Sequence, residues 1–567
     1  GLEVEEERVK LAVLLEALRR GQRYVPLGPG KWMRLTEALR ERLAPLADMA
    51  HAPRQGWEMS AAAAPVLDEL AEAGAEVEAP PDWHRLATRI REAGKLKVKV
   101  PRGLRAELRD YQREGFTWMV RLAAWGGGGV LADDMGLGKT LQALAMLVYR
   151  ARKGPALVVA PTSVCFNWER EAARFAPSLK VHDYRGADRE ALLADLGPGD
   201  LVVASYGLVM REAKRFAEVS FATLVLDEAQ AVKNPDTARA RAVRGLQAEA
   251  RVALSGTPVE NRLSELWSLY RLVFPGLLGS REAFRARFSG PIEREKNPEA
   301  RAALARVVRP FLLRRTKGEV ARELPPRLET VVPVTLSEGE RRLYEDVRLA
   351  ALARLEGAAE AERQKRFELL AALTRLRLAA CHPRLVDADS PLASSKLERV
   401  LELVETVRAG GSRALVFSQF VKHLGLVREA LEARGIPLQY LDGQTSAAER
   451  AARVEAFQRG EGDVFLISLK AGGTGLNLTA ADHVIHLDPW WNPAVEDQAT
   501  DRAHRIGQTK PVTVSRLNSE GTLEEAILSL HEEKRELANS LLSEADGAAA
   551  LTTEQLMELM RFGARGE

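Results

Sequence analysis

The sequence predicts an α/β protein built on two parallel-sheet lobes with helical insertions, preceded by a mainly helical accessory domain. Three observations predict it. Short β-rich apolar runs alternate with helical segments from residue 99 to about 325, the alternation resumes near Arg413, and the runs end in turns that carry polar motifs. Such alternation argues for parallel strands covered by helices on both faces, with ligands at the C-terminal strand ends.

Composition sets the frame. At 567 residues the chain exceeds one hydrophobic core, so three or four domains are expected. A hydrophobic content of 46% and a charged content of 28% describe an ordinary globular protein. The formal charge is +3, from 82 basic and 79 acidic residues, so any nucleic-acid surface must be a local basic face. Two cysteines, Cys165 and Cys381, cannot form a zinc cluster, indicate no disulfide framework, and fit a reducing cytoplasm. No apolar run is long enough to span a bilayer and no signal peptide is recognisable, which predicts no membrane partner. The chain opens at Gly1 without a methionine and enters a helical pattern directly, as expected of a piece of a longer protein.

Residues 1–98 are Ala-, Leu-, Arg- and Glu-rich with helical periodicity, interrupted at 24–32 by a small hairpin. Pro80-Pro81 and the basic stretch 95–99 read as a linker, and no chemistry is visible in this accessory helical domain. Lobe one takes residues 99–325. Its strands are read at 130–132, 156–160, 201–204, 223–226 and 252–255, and a helical insertion follows Pro258 up to Pro325-Pro326. Residues 326–535 supply a helical linker and lobe two, with strands at 414–417, 438–441, 464–467, 483–487 and 512–514. An amphipathic helical pattern returns at Leu523, and 536–567 is read as a C-terminal helical tail.

The most informative stretch is Asp133-Asp134-Met135-Gly136-Leu137-Gly138-Lys139-Thr140, which follows an apolar strand and opens a helical pattern. That is the context of a phosphate-binding loop. Backbone N–H groups around Gly136 and Gly138 point at phosphates, Lys139 reaches the β/γ-phosphates, and the Thr140 hydroxyl can sit on Mg²⁺. Asp133 stands where the usual pattern has glycine. The second half of the site is Leu224-Val225-Leu226-Asp227-Glu228-Ala229-Gln230. Two carboxylates at a strand end suit nucleotide hydrolysis, Asp227 holding the metal through water and Glu228 polarising the nucleophile.

From about residue 100 to 535 the chain resembles the Swi/Snf family of helicase-like ATPases in superfamily two. Lobe one carries Leu108-Arg109-Asp110-Tyr111-Gln112, the phosphate loop, Pro161-Thr162-Ser163 with Asn167-Trp168, Ser205-Tyr206, the Asp-Glu-Ala-Gln block, Ser255-Gly256-Thr257-Pro258, and Leu313-Arg314-Arg315-Thr316-Lys317. Lobe two carries Phe417-Ser418-Gln419-Phe420, Lys470-Ala471-Gly472-Gly473-Thr474-Gly475-Leu476-Asn477, Asp488-Pro489-Trp490-Trp491-Asn492-Pro493, and Gln498-Ala499-Thr500-Asp501-Arg502-Ala503-His504-Arg505-Ile506-Gly507-Gln508.

The resemblance implies two RecA-like lobes, ATP and Mg²⁺ as cofactors, and movement along double-stranded DNA without strand separation. It implies that Gln112 reads the adenine edge, that Gly475 and Gln498 join the nucleotide site, and that Arg502 and Arg505 are arginine fingers, set at helical spacing beside Gln498. Thr162, Ser163, Asn167, Ser205, Gln419, Lys470 and Asn477 would meet DNA phosphates. Trp491 would wedge against a nucleotide, with Trp490 left to packing. Gln230 replaces a histidine often found there, which leaves hydrolysis intact and bears on coupling between the lobes. The substrate would be a protein–DNA complex, with RNA polymerase or another DNA-bound protein as partner, in the cytoplasm at the nucleoid. Two alternatives stand beside this: a strand-separating helicase on RNA or single-stranded DNA, and an ATP-switched clamp that translocates little.

Overall fold

The computed structural model describes residues 2–4, 7–28, 31–51, 58–72, 81–184, 189–256, 263–357, 362–472, 476–529 and 560. The chain divides into two units. One holds the described residues up to Thr316, and the other holds those from Lys317 onward together with the short loop 135–137.

Lobe one is a seven-stranded, wholly parallel sheet. Its strands are β1 (Gly129–Leu131), β2 (Ala156–Ala160), β3 (Lys180–Asp183), β4 (Asp200–Ser205), β5 (Ser220–Leu226), β6 (Gln247–Leu254) and β7 (Leu312–Leu313), in the order β7-β1-β6-β5-β2-β4-β3. Apolar runs without polar alternation form the centre because both faces are covered. Side chains of successive residues still point to opposite faces. Leu157 and Val159 pack with Val202, Leu224 and Leu226 in one core, while Ala156, Val158 and Ala160 pack with Leu201, Val203 and Val225 in the other.

Lobe two repeats the plan with six parallel strands: β8 (Arg327–Val334), β9 (Ala414–Ser418), β10 (Leu438–Leu441), β11 (Val464–Ser468), β12 (His483–His486) and β13 (Val512–Ser519), in the order β8-β13-β12-β9-β11-β10. Its cores also lie on both faces, Ala414 and Val416 on one, Leu415 and Phe417 on the other. The two RecA-like parallel sheets read from the sequence are therefore present.

Three strands were not legible, and all lie at sheet edges. β3 reads Lys-Val-His-Asp with its side chains partly or fully exposed, and β7 has two residues. β8 carries Pro333 and exposes Leu328 and Val331, a proline position that an edge tolerates because no ladder donor is needed there. β7 also interrupts the predicted helical insertion, which consists of helices such as Leu263–Val273 and Pro298–Val308.

The N-terminal region is mainly helical, with helices Leu11–Arg19, Glu37–Met49, Ala64–Glu72 and Pro81–Lys95. The predicted hairpin forms as Tyr24–Gly28 against Lys31–Arg34, antiparallel. Asp48, at the end of the second helix, ties the region to the lobe-one insertion through Arg287 at 3.1 Å and Arg306 at 2.8 Å. Burial pushes the Asp48 carboxyl up, and the two arginines pull against it. The expected tail at 536–567 lies outside the described residues apart from Met560.

Candidate nucleotide site and nucleic-acid interface

The loop after β1 builds the first half of the site. Gly136 and Gly138 take left-handed φ values of 85° and 76°, and Gly138 is the N-cap of α1 (Lys139–Arg150). A Cβ at Gly138 would also stand 2.5 Å from the Gln112 amide nitrogen, so a side chain there would have to displace the end of Gln112. The Lys139 Nζ donates to the carbonyl oxygens of Asp133 at 2.5 Å and Asp134 at 3.2 Å, and the half-buried Thr140 follows in the first helical turn. Burial draws Lys139 below the usual lysine range, while the carboxylates of Glu228, Asp133 and Asp227 push it back up. Gln112 is buried, its Oε1 accepting from the Arg109 N–H at 3.1 Å and its Nε2 donating to the Tyr111 hydroxyl at 3.4 Å.

Asp133 has a structural explanation. Its carboxylate is fully buried and accepts from Arg315 Nε at 3.0 Å, Arg315 Nη2 at 2.6 Å and Gln142 Nε2 at 3.2 Å. Arg315 also donates to the Tyr111 carbonyl and lies over the Tyr111 ring, 5.2 Å from its centroid. The loop, the helix behind it and the helix Asp110–Ala124 that carries Gln112 are thereby joined by one bidentate ion pair. Gly115 makes room for it, since a Cβ there would meet Gln142 Oε1 at 2.0 Å.

The second half follows β5. Asp227 Oδ1 accepts from the Glu228 N–H at 2.8 Å, and Oδ2 accepts from the Trp168 indole N–H at 2.7 Å. Burial and the neighbouring Glu228 carboxylate push the Asp227 carboxyl up to about 7. A buried acid held at that level fits a divalent cation, which would compensate its charge. Glu228 sits at a φ of 46°. Its Oε2 accepts from Gln230 Nε2 at 2.7 Å, and Gln230 Oε1 accepts from the Ser255 hydroxyl at 3.0 Å. Gln230 thus bridges the acidic turn to the end of β6. Trp168, which stands in the sequence as no more than Asn167's neighbour, proves to be the Asp227 donor. A fully buried tryptophan needs an acceptor for its N–H, but nothing in the sequence names which.

The other lobe-one positions lie around the same strand ends. Thr162 is exposed at the start of the helix Thr162–Phe175, and Asn167 bonds Glu171 at 2.9 Å and Arg170 at 3.1 Å. Ser205 is buried and caps the helix Tyr206–Arg211 through Leu208 N–H at 3.2 Å, so its hydroxyl already has a local partner. The Ser163 side chain, together with Thr257 and Pro258, lies outside the described residues.

In lobe two, Gln498 is half-buried on the helix Pro493–Thr500, which ends before the two arginines. The segment after it is a turn and not the continuing helix expected from their spacing. Arg502 is buried, and Arg505 is half-buried with Nη1 donating to the Leu476 carbonyl at 3.3 Å. Asp501 pairs with Lys317 at 2.6 Å and with Arg327 at 3.9 Å. Gln419 Oε1 accepts from Arg377 Nη1 at 3.0 Å. Arg377 is buried, donates to the Pro489 carbonyl, and lies over the rings of Phe420, Trp490 and Trp491 at 5.4, 5.6 and 5.3 Å. Trp490 packs on the sheet core, and Trp491 packs on the helical core of the linker. Asn477 is exposed; Gly475 and the Lys470 side chain lie outside the described residues.

Known proteins share this organisation. Residues 111–385 match the SNF2-related domain, and residues 395–507 match the helicase conserved C-terminal domain. YwqA of Bacillus subtilis (strain 168), provisionally named an ATP-dependent helicase/translocase, is 40% identical over 88% of this chain and 56% of its own length. The human SWI/SNF-related matrix-associated actin-dependent regulator of chromatin subfamily A member 1 is 36% identical over 81% of this chain and 46% of its own length. The chain thus spans about half the length of the curated relatives it matches. A Sulfolobus solfataricus SWI2/SNF2 ATPase core solved in complex with dsDNA is 35% identical, covering 82% of this chain and 98% of that one, with a TM-score of 0.42. The chain belongs to the Snf2 family of superfamily-two helicase-like ATPases.

Proposed function

We propose that this chain is an ATP-hydrolysing motor that moves along double-stranded DNA and remodels protein–DNA complexes without separating the strands. The observation that carries the reading is the cluster at the C-terminal strand ends of lobe one. There Lys139 lies in the field of Asp227 and Glu228, and Glu228 is wired through Gln230 to Ser255. Hydrolysis needs a phosphate cradle, a metal ligand and a base, and the bonded line through Gln230 offers a path by which their state reaches the rest of the lobe.

When bound, Mg²⁺ would supply positive charge against the charge that develops on the phosphates. Thr140 and Asp227 are the residues to hold it. Lys139 would leave its loop carbonyls for the β/γ-phosphates, and the backbone around Gly136 and Gly138 would cradle them. Glu228 would take the proton of the attacking water, with Gln230 fixing the carboxylate's rotamer. Gln112 would meet the adenine, Gly475 and Gln498 would complete the nucleotide site, and Arg502 and Arg505 would stabilise transition-state charge. DNA would be held through its phosphates by Thr162, Ser163, Asn167, Ser205, Gln419, Lys470 and Asn477, with Trp491 against a nucleotide.

No described helix is long and apolar enough to cross a membrane. A DNA substrate would place the work at the nucleoid in the cytoplasm, on RNA polymerase or another DNA-bound protein. Steady-state ATPase assays with duplex DNA, single-stranded DNA and RNA side by side test the reading. Duplex DNA is expected to stimulate turnover most and with little sequence preference. Equal stimulation by RNA would favour a strand-separating helicase instead.

A further inference from the structure

In lobe two, three side chains of different chemistry converge apart from the residues given nucleotide or DNA roles. Cys381 ends the helix Glu362–Cys381, His423 lies in the helix Val421–Ala433, and Asp488 follows β12. A potential ligand atom from each lies within 4.8 Å of the other two, and all three residues are buried. His423 is the decisive member. It is 0% exposed, neither ring nitrogen has a hydrogen-bond partner among the described residues, and Nδ1 stands 4.0 Å from Asp488 Oδ2, too far for a hydrogen bond. Burying an imidazole with both nitrogens unsatisfied is costly, and an unsatisfied buried group of this kind signals a missing partner.

The other two members are held from behind, as metal ligands usually are. Asp488 accepts from the Ser418 hydroxyl and from the Gln419 N–H at 3.2 Å. The Cys381 sulfur is 3.7 Å from Glu524 Oε1, whose carboxylate is gripped by the buried Lys396 ammonium at 2.7 and 2.6 Å. The nearby cations are already engaged, Lys396 by Glu524 and Arg377 by Gln419 Oε1, the Pro489 carbonyl and three aromatic faces.

We infer that Cys381, His423 and Asp488 form a site for one divalent transition-metal ion, with zinc the best match to a sulfur, nitrogen and oxygen donor set. Zinc accepts each of these ligands in tetrahedral geometry, and a water supplies the fourth. Zn–S and Zn–N bonds of about 2.3 and 2.0 Å would draw the ligand atoms to spacings of about 3.5 Å. Binding converts the Cys381 thiol to a thiolate and releases its proton to solvent, and the imidazole stays neutral. The ion would pin the linker helix that carries Arg377 to the turns that carry Gln419 and Trp491. Two cysteines exclude a multi-cysteine cluster, but not a mixed set drawn from three separate elements.

The test uses the full chain. Metal content is measured after dialysis against metal-free buffer, for wild type, Cys381→Ser, His423→Asn and Cys165→Ser. About one zinc per chain is expected for wild type and Cys165→Ser, with near-complete loss in the other two. Should those variants fold poorly, the wild-type protein exchanged with Co²⁺ decides alone: thiolate ligation gives a sulfur-to-cobalt charge-transfer absorption band. Absence of both stoichiometric zinc and that band in wild type would overturn the site, as would wild-type zinc content in folded Cys381→Ser. In that case His423 and Asp488 are a bare buried pair.

Discussion

Glu228 holds a left-handed φ of 46°, which costs a non-glycine residue about 1–3 kcal/mol and persists only where the surroundings enforce it. Here the Asp227 carboxylate takes its N–H and Gln230 takes its side chain. Glu228→Gln keeps the shape and removes the base. Nucleotide binding should persist while single-turnover hydrolysis falls by about 10²–10⁴-fold, the range for a positioned general base. Wild-type turnover in that variant would remove Glu228 from the role. The motifs themselves were readable from the sequence, because strand, turn and helix are consecutive in the chain. Their partners were not. Asp133 looks like a defect in a glycine pattern until Arg315, 182 residues away, is seen against it. Gln230 reads in the sequence as a replacement that bears on coupling between the lobes, but its partner Ser255 is not named there. Long-range pairings leave no periodic trace in a sequence.

At the scale of elements, the strands read from the sequence are the central ones, whose two-sided burial demands unbroken apolar runs, together with the edge strand β10, whose Leu438 and Leu441 keep an apolar signature. Edge strands β3, β7 and β8 face solvent on one side and lack that signature. The same scale explains two linking arginines. Arg315→Met should leave Asp133 as an uncompensated buried charge, destabilising lobe one by about 3–5 kcal/mol. Adding Asp133→Asn should recover much of that loss. A double-mutant cycle by chemical denaturation checks it, and additive losses would mean that the pair is not coupled. Arg377 plays a corresponding part in lobe two, where it orients Gln419 and stacks beneath Trp491. Arg377→Leu should leave DNA-independent ATPase near wild type and reduce its stimulation by duplex DNA. Loss of both together, with a lowered melting temperature, would make Arg377 purely structural.

For the whole molecule, the proposal is that hydrolysis in lobe one and DNA contacts on both lobes drive movement along a duplex. The near-neutral balance of +3 means that affinity must come from local phosphate contacts, so duplex stimulation should fall steeply as salt rises. The accessory region, anchored through Asp48, would travel with lobe one. The most direct measurement is displacement of a third strand from a triplex, followed together with the integrity of the underlying duplex. ATP should drive release of the third strand while the duplex strands stay paired, with release abolished in Glu228→Gln. Separation of the duplex strands would contradict it, and so would ATP turnover on duplex DNA that never releases the third strand.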